Sequence, residues 1–141
     1  MKNVTELELN EARRLFKEIY DTEIKLKTLQ ISAQKLVPIL DGLPRAKSQR
    51  SKVEELTVKI MELEEELAAL TVEFVQAATT LHQKIFTAPN LDALEKAILS
   101  LRYATCLNFS EIQTELKLTE ATTFYLHRTA KKKILKTNTV D

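Results

Sequence analysis

The stretch Asn108–Leu135, N-F-S-E-I-Q-T-E-L-K-L-T-E-A-T-T-F-Y-L-H-R-T-A-K-K-K-I-L, decides how the rest of the chain is read. It predicts a short helix, a tight turn and a second helix. Ser110 is a suitable N-cap, and Gln113 three residues on completes a capping box. Ile112 and Leu116 lie four apart and share one face. Lys117-Leu118 makes the turn, with Lys117 taking a left-handed backbone at modest cost where glycine would be favoured. Thr119 caps the next helix, and Glu120 sits in its first turn, where the helix dipole favours a carboxylate. Thr123, Leu126, Ala130 and Ile134 give an inner stripe, and Ala121, Thr122, Tyr125, Arg128, Lys131 and Lys132 an outer face.

Two helices arranged this way suit a DNA reader. The first braces against the backbone, and the second lies in the major groove with its N-terminal residues at base edges. Short side chains at the front let the helix sit deep, and basic residues further along meet phosphates. From Lys117 to Lys136 there are six basic residues, Lys117, Arg128, Lys131, Lys132, Lys133 and Lys136, against the single acid Glu120. The roles that follow are Ala121, Thr122 and Tyr125 towards bases, with Phe124 either touching thymine methyls or closing the small core. Arg128, Lys131 and Lys132 hold phosphates. Ser110, Lys117, Thr119 and Glu120 lie at the approach of the bracing helix and the front of the reading helix.

The motifs L-x-L-R-Y at 99–103, S-E-I-x-x-E-L-x-L-T at 110–119, Thr122 and L-H-R-x-A-K-K-K-I at 126–134 resemble the region-four helix-turn-helix of bacterial sigma factors. Gln113 and Thr123 depart from that pattern, which usually has Ala and Val there. The segment D-G-L-P-R-A-K-S-Q-R-S-K-V-E at 41–54, followed by K-I-M-E-L-E-E-E-L, is similar instead to small phage and prophage proteins of Gram-positive bacteria. These are usually grouped with ArpU/RinA-type late transcriptional regulators, and pair an N-terminal helical region with a sigma-like end. The resemblance covers roughly residues 20–136. It implies a phage- or prophage-encoded transcriptional regulator acting on double-stranded DNA in the bacterial cytoplasm, with RNA polymerase as a further docking partner.

The composition agrees with an all-helical chain. Of 141 residues 44% are hydrophobic, with one Gly, three Pro and no Trp, so there are few turn residues to join strands. The net charge of +1 is less informative than its distribution, acidic in the middle and basic near the end. Cys106 has no second cysteine to pair with, and its apolar neighbours predict a buried thiol. No apolar run is long enough for a membrane span, and the acidic N-terminus does not read as a signal peptide.

Taken in order, residues 4–36 predict a long helix with a seam at Ala12, Leu15, Ile19, Thr22, Leu26, Leu29, Ala33 and Leu36. Leu9, Phe16 and Tyr20 widen the stripe at its N-terminal end, which therefore packs against more than one neighbour. Val37-Pro38 is expected to stop this helix, and Asp41-Gly42 and Pro44 mark a connection. Arg45, Lys47, Arg50 and Lys52 form a basic patch there, read either as a solvated loop or as a second grip on phosphate. Ser51 and Glu54 predict a capping box opening a second long helix, whose seam runs Val53, Leu56, Ile60, Leu63, Leu67, Leu70, Phe74, Ala77 and Leu81.

The two seams predict an antiparallel helical hairpin, a coiled coil over residues 1–87 that serves for oligomerisation or docking. A hairpin buries one stripe per helix, so a homodimer through the long helices is expected. Pro89 should break the second helix and Asn90 cap the next. A support helix through Leu91, Leu94, Ala97, Ile98 and Leu101 would end near Tyr103 and complete a three-helix domain over 91–136. Its expected core is Leu94, Ile98, Leu101, Ile112, Leu116, Leu118, Leu126 and Ile134, with a frayed tail at 137–141.

Nothing in the sequence points to catalysis. His82 and His127 have no partner at metal-ligand spacing, and Gly42, the single glycine, cannot make a phosphate loop. No nucleophile has a recognisable base beside it, and the Glu62–Glu66 cluster reads as solvated surface. The sequence therefore predicts no enzyme, cofactor or metal. Two rivals to the DNA regulator stand beside it: a protein-interaction module gripping RNA polymerase or another regulator, and a phage DNA-packaging subunit of the small-terminase kind, which would form a ring.

Overall fold

The structure, a computed structural model, describes the backbone of residues 4–40 and 46–136 and the side chains of 4–36 and 51–135. It is all-helical, with no strand among the described residues. Five α-helices follow one another: α1 (Glu6–Leu40), α2 (Ala46–Phe86), α3 (Ala93–Leu99), α4 (Phe109–Leu116) and α5 (Glu120–Lys136). A π-helical turn, Ser100–Ala104, carries α3 on as far as the expected end near Tyr103. No described helix is long and apolar enough to cross a membrane.

Both long helices exceed their predicted bounds. α1 continues past Pro38 to Leu40. Proline forfeits one N–H and crowds the carbonyl four residues back, and so close to the helix end little is left to disrupt. α2 starts at Ala46 rather than at a Ser51 cap, and Ser51 is an exposed position inside the helix. Asp41, Gly42, Pro44 and Arg45, and the tail 137–141, lie outside the described residues, as do the side chains of Lys47 and Arg50. Lys52 is exposed on α2.

The chain divides into two compact units, Met1–Phe16 with Glu73–Asp141, and Lys17–Val72. The boundary expected between 87 and 91 falls inside the first. That unit is built on one apolar core in which Val4, just before α1, Leu9 of α1 and Leu81 and Ile85 of α2 meet Leu99, Tyr103, Ala130 and Ile134. Phe16 and Phe74 have ring centroids 5.9 Å apart, and Lys84 pairs with Glu8, so the two helices run antiparallel here. Leu9 is fully buried, as its place in a widened stripe implies, whereas Phe16 is nearly half exposed. The second unit is formed by α1 from Lys17 onward and α2 as far as Val72. Its seam residues are half-buried apart from the exposed Leu36, and Thr22 is the one buried side chain among those described.

The expected core of the C-terminal helices is partly right. Ile98, Ile112 and Ile134 are buried, and Leu101, Leu116, Leu118 and Leu126 half-buried. Leu94 faces outward, and Leu99, Tyr103 and Ala104 fill the interior instead. The π-helical turn adds a residue to the helical repeat and rotates the residues beyond α3, which a uniform period of 3.6 cannot anticipate.

Candidate nucleic-acid interface

Helices α3, α4 and α5 gather the residues singled out by sequence. α3 is opened by Asp92, whose side chain accepts from the Glu95 N–H at 2.8 Å while Glu95 accepts from the Asp92 N–H at 3.0 Å. Asn90, expected as the cap, instead donates from Nδ2 to the Lys133 carbonyl at 3.0 Å, tying the α2–α3 link to α5. α4 is opened by Asn108 with Glu111, through bonds of 2.8 and 2.9 Å, and not by Ser110 with Gln113. In both places a carboxylate at the third helical position makes the reciprocal bond.

Lys117 ends α4 at φ 54° and ψ 49°, the left-handed conformation that its place in the turn demands. Thr119 then caps α5, its Oγ1 accepting from the Thr122 N–H at 3.3 Å and donating to the Thr122 hydroxyl at 2.8 Å. Thr123, Ala130 and Ile134 are buried along the inner side of α5, with the Thr123 hydroxyl bonded to the Thr119 carbonyl at 2.8 Å. Thr119, Glu120, Ala121, Thr122, Phe124, Tyr125, Arg128 and Lys132 are exposed, as are Ser110 and Lys117 beside them.

The remaining charges are more committed than the sequence implies. Lys131 is half-buried and pairs with Glu6 at 3.2 Å, and Lys133 pairs with the buried Glu95 at 3.0 Å. Phe124, one edge of the outer face, packs on Phe109 with centroids 4.7 Å apart and stays 44% exposed. It closes the α4–α5 contact while leaving part of its ring open.

Beside it lies a cluster that sequence reading missed. The Tyr103 hydroxyl is 2.7 Å from His127 Nε2, and Phe109 meets the imidazole edge-on at 4.9 Å. Arg102 lies over the Phe109 ring at 4.3 Å and donates to the Leu107 carbonyl, and Arg13 approaches the Tyr103 ring at 6.0 Å. Burial lowers the His127 pKa to about 4, helped by the positive charges of Arg102, Lys131 and Arg13. The ring is therefore neutral near pH 7 and accepts the phenol hydrogen. Arg13 lies ninety residues before Tyr103, so no local pattern announces the cluster. Cys106, at φ 66°, has a half-buried thiol whose pKa burial raises to about 11, so it stays protonated.

Comparison with known families gives one match, to the family described as protein of unknown function (DUF1492), over residues 45–135. That span is well over half of the chain. The chain belongs to the DUF1492 family. No curated protein and no solved structure matches it. The matched DUF1492 span holds α2, α3, α4 and all but the last residue of α5, so it includes every exposed position of the candidate face. Arg13, Glu6 and the α1 residues of the core lie outside it.

The DUF1492 region carries a second feature of note. A groove of about 660 Å3 runs between the end of α2, α3, the π-helical turn and α4, walled by Phe86, Ala97, Leu101, Leu107 and Leu116. His82 Nδ1 and Ser100 Oγ, both from residues lining it, are buried without a hydrogen-bond partner. Among the described residues no group of three or more His, Cys, Asp or Glu side chains could hold a metal ion.

Proposed function

We propose that this DUF1492 member is a sequence-specific DNA-binding transcriptional regulator, and that α4, the Lys117 turn and α5 act as its helix-turn-helix. The observation that carries the reading is the exposed front of α5. Ala121, Thr122 and Tyr125 lie outward where a reading helix meets base edges, and Arg128 and Lys132 follow where phosphates would lie. Lys117 and Ser110 approach the backbone from the bracing side. Lys131, already paired to Glu6, is a weaker phosphate contact than Arg128, while Arg13 and Arg102 add positive charge at the edge of the face. The ArpU/RinA-type likeness supports a phage or prophage setting. Self-association through the long helices would set two or more such faces on one operator.

Selection of bound sequences from random duplex DNA, followed by a salt titration, tests this. Affinity should fall steeply with salt, in proportion to the phosphates neutralised. Absence of any retention on DNA at low salt would end the reading.

One observation favours a second reading, in which the domain docks on RNA polymerase or another regulator. The groove beneath α3 is apolar and open to the surface. Exposed apolar patches of this kind mark protein contacts. Loss of a protein partner on Leu101→Asp with DNA binding retained would support that role beside the first.

A further inference from the structure

We infer that copies of this chain associate side by side through the outer edges of the Lys17–Val72 unit, with α1 of one copy against α2 of the next, and close into a ring of more than two. The mode deepens the self-association proposed above and is independent of whether α5 reads DNA.

The need for a partner follows from burial. Thr22 is the one buried side chain described in this unit, and its seam leucines and isoleucines are half-buried or, at Leu36, exposed, so the unit's own core is thin. Two helices alone make too little core to be stable at this size.

The edges themselves identify the occupant. At 3.6 residues per turn, a second stripe on each helix lies roughly opposite the seam. Running away from the connection between the helices, the α1 edge reads Lys35, Ile31, Lys27, Ile24, Tyr20 and Lys17, all exposed. The α2 edge reads Glu54, Val58, Met61, Glu65, Ala68 and Val72, also all exposed. Among the described residues none of these five charges is held in an ion pair.

Laid side by side with the same end up, the two edges are complementary. Lys35 meets Glu54, Ile31 meets Val58, and Lys27 falls between Met61 and Glu65, within reach of the carboxylate. Tyr20 covers Ala68. With the same end up, packing α1 on α1 opposes lysines and α2 on α2 opposes glutamates, so in that orientation each edge favours the unlike one. Each copy presents one edge of each kind on opposite sides. The contact is therefore heterologous and propagates until the rotation closes.

The test is the mass of the full-length protein by light scattering and native mass spectrometry, with wild type, K27E/K35E and E54K/E65K measured alone and mixed in equal amounts. Wild type should give a discrete mass above two chains. Each variant alone should need about tenfold more protein to assemble, or stay monomeric, because both of its edges then carry one sign. Mixing should restore assembly with the two variants in equal numbers, which also proves both folded. A monomeric or two-chain wild type, or variants that assemble alone as well as wild type, would overturn the inference. Titrating the same samples with DNA separates the two proposals, since loss of DNA binding leaves the mass distribution unmoved.

Discussion

His127 shows how far one residue's chemistry depends on distant parts of the chain. Sequence places it on α5 as a lone histidine with no partner at metal-ligand spacing. The fold puts Tyr103, Phe109, Arg102 and Arg13 around it. Its folded pKa of about 4 lies below the ordinary 6.5, so the unfolded chain binds the extra proton first. Stability from the neutral ring is complete above pH 6.5 and is lost as pH falls towards 4. Thermal unfolding across that window should show a falling midpoint for the wild type and a flatter profile for His127→Gln. Lys117 is the opposite case, legible at once because a turn between two capped helices demands a left-handed residue. Lys117→Gly should raise stability by about 1 kcal/mol in denaturant titrations, since glycine takes φ 54° without the Cβ clash. The caps were half legible. N-F-S-E-I-Q holds two overlapping boxes, and Asn108 with Glu111 prevails over Ser110 with Gln113 because a charged acceptor at the third position makes the stronger reciprocal bond.

At the scale of elements, periodicity located every helix and erred at their ends. The inner stripe of α5 was read correctly because Thr123, Leu126, Ala130 and Ile134 step by three and four without interruption. Leu94 was misplaced because α3 is only seven residues long and gives way to a π-helical turn, so its buried side is set by Ile98 and Leu99. The ion pairs of α5 were beyond sequence, since Glu6 and Glu95 come from other helices. They sort the basic residues into roles. Arg128→Ala should weaken binding to all duplexes and flatten the plot of log affinity against log salt by about 0.9, one phosphate contact. Thr122→Ala should leave that slope unchanged and alter sequence preference, measured by competition among selected sites. Glu95→Ala removes the buried acceptor of both Lys133 and the Asp92 N–H, and should cost about 2 kcal/mol in equilibrium unfolding.

For the whole molecule, the question is which segments the helices that carry the candidate face need in order to stand. Leu9, Leu81 and Ile85 share a core with Leu99, Tyr103 and Ile134, so helices α3–α5 do not seal themselves. A hint of this was available in the widened apolar stripe at the start of α1. The partner of that stripe was not, because the contact spans the length of the hairpin and no local spacing encodes it. Leu9→Ala in the full chain therefore tests the architecture directly. Leu9 is completely buried, and its truncation leaves a cavity between α1 and the helices that carry the candidate face. Loss of about 2–5 kcal/mol is expected in guanidinium titrations. The near-ultraviolet signal of Tyr103, held in the same core, should disappear in that transition rather than in a later one. A Tyr103 signal that persists after α1 has unfolded would mean that the C-terminal helices are held by their own contacts alone.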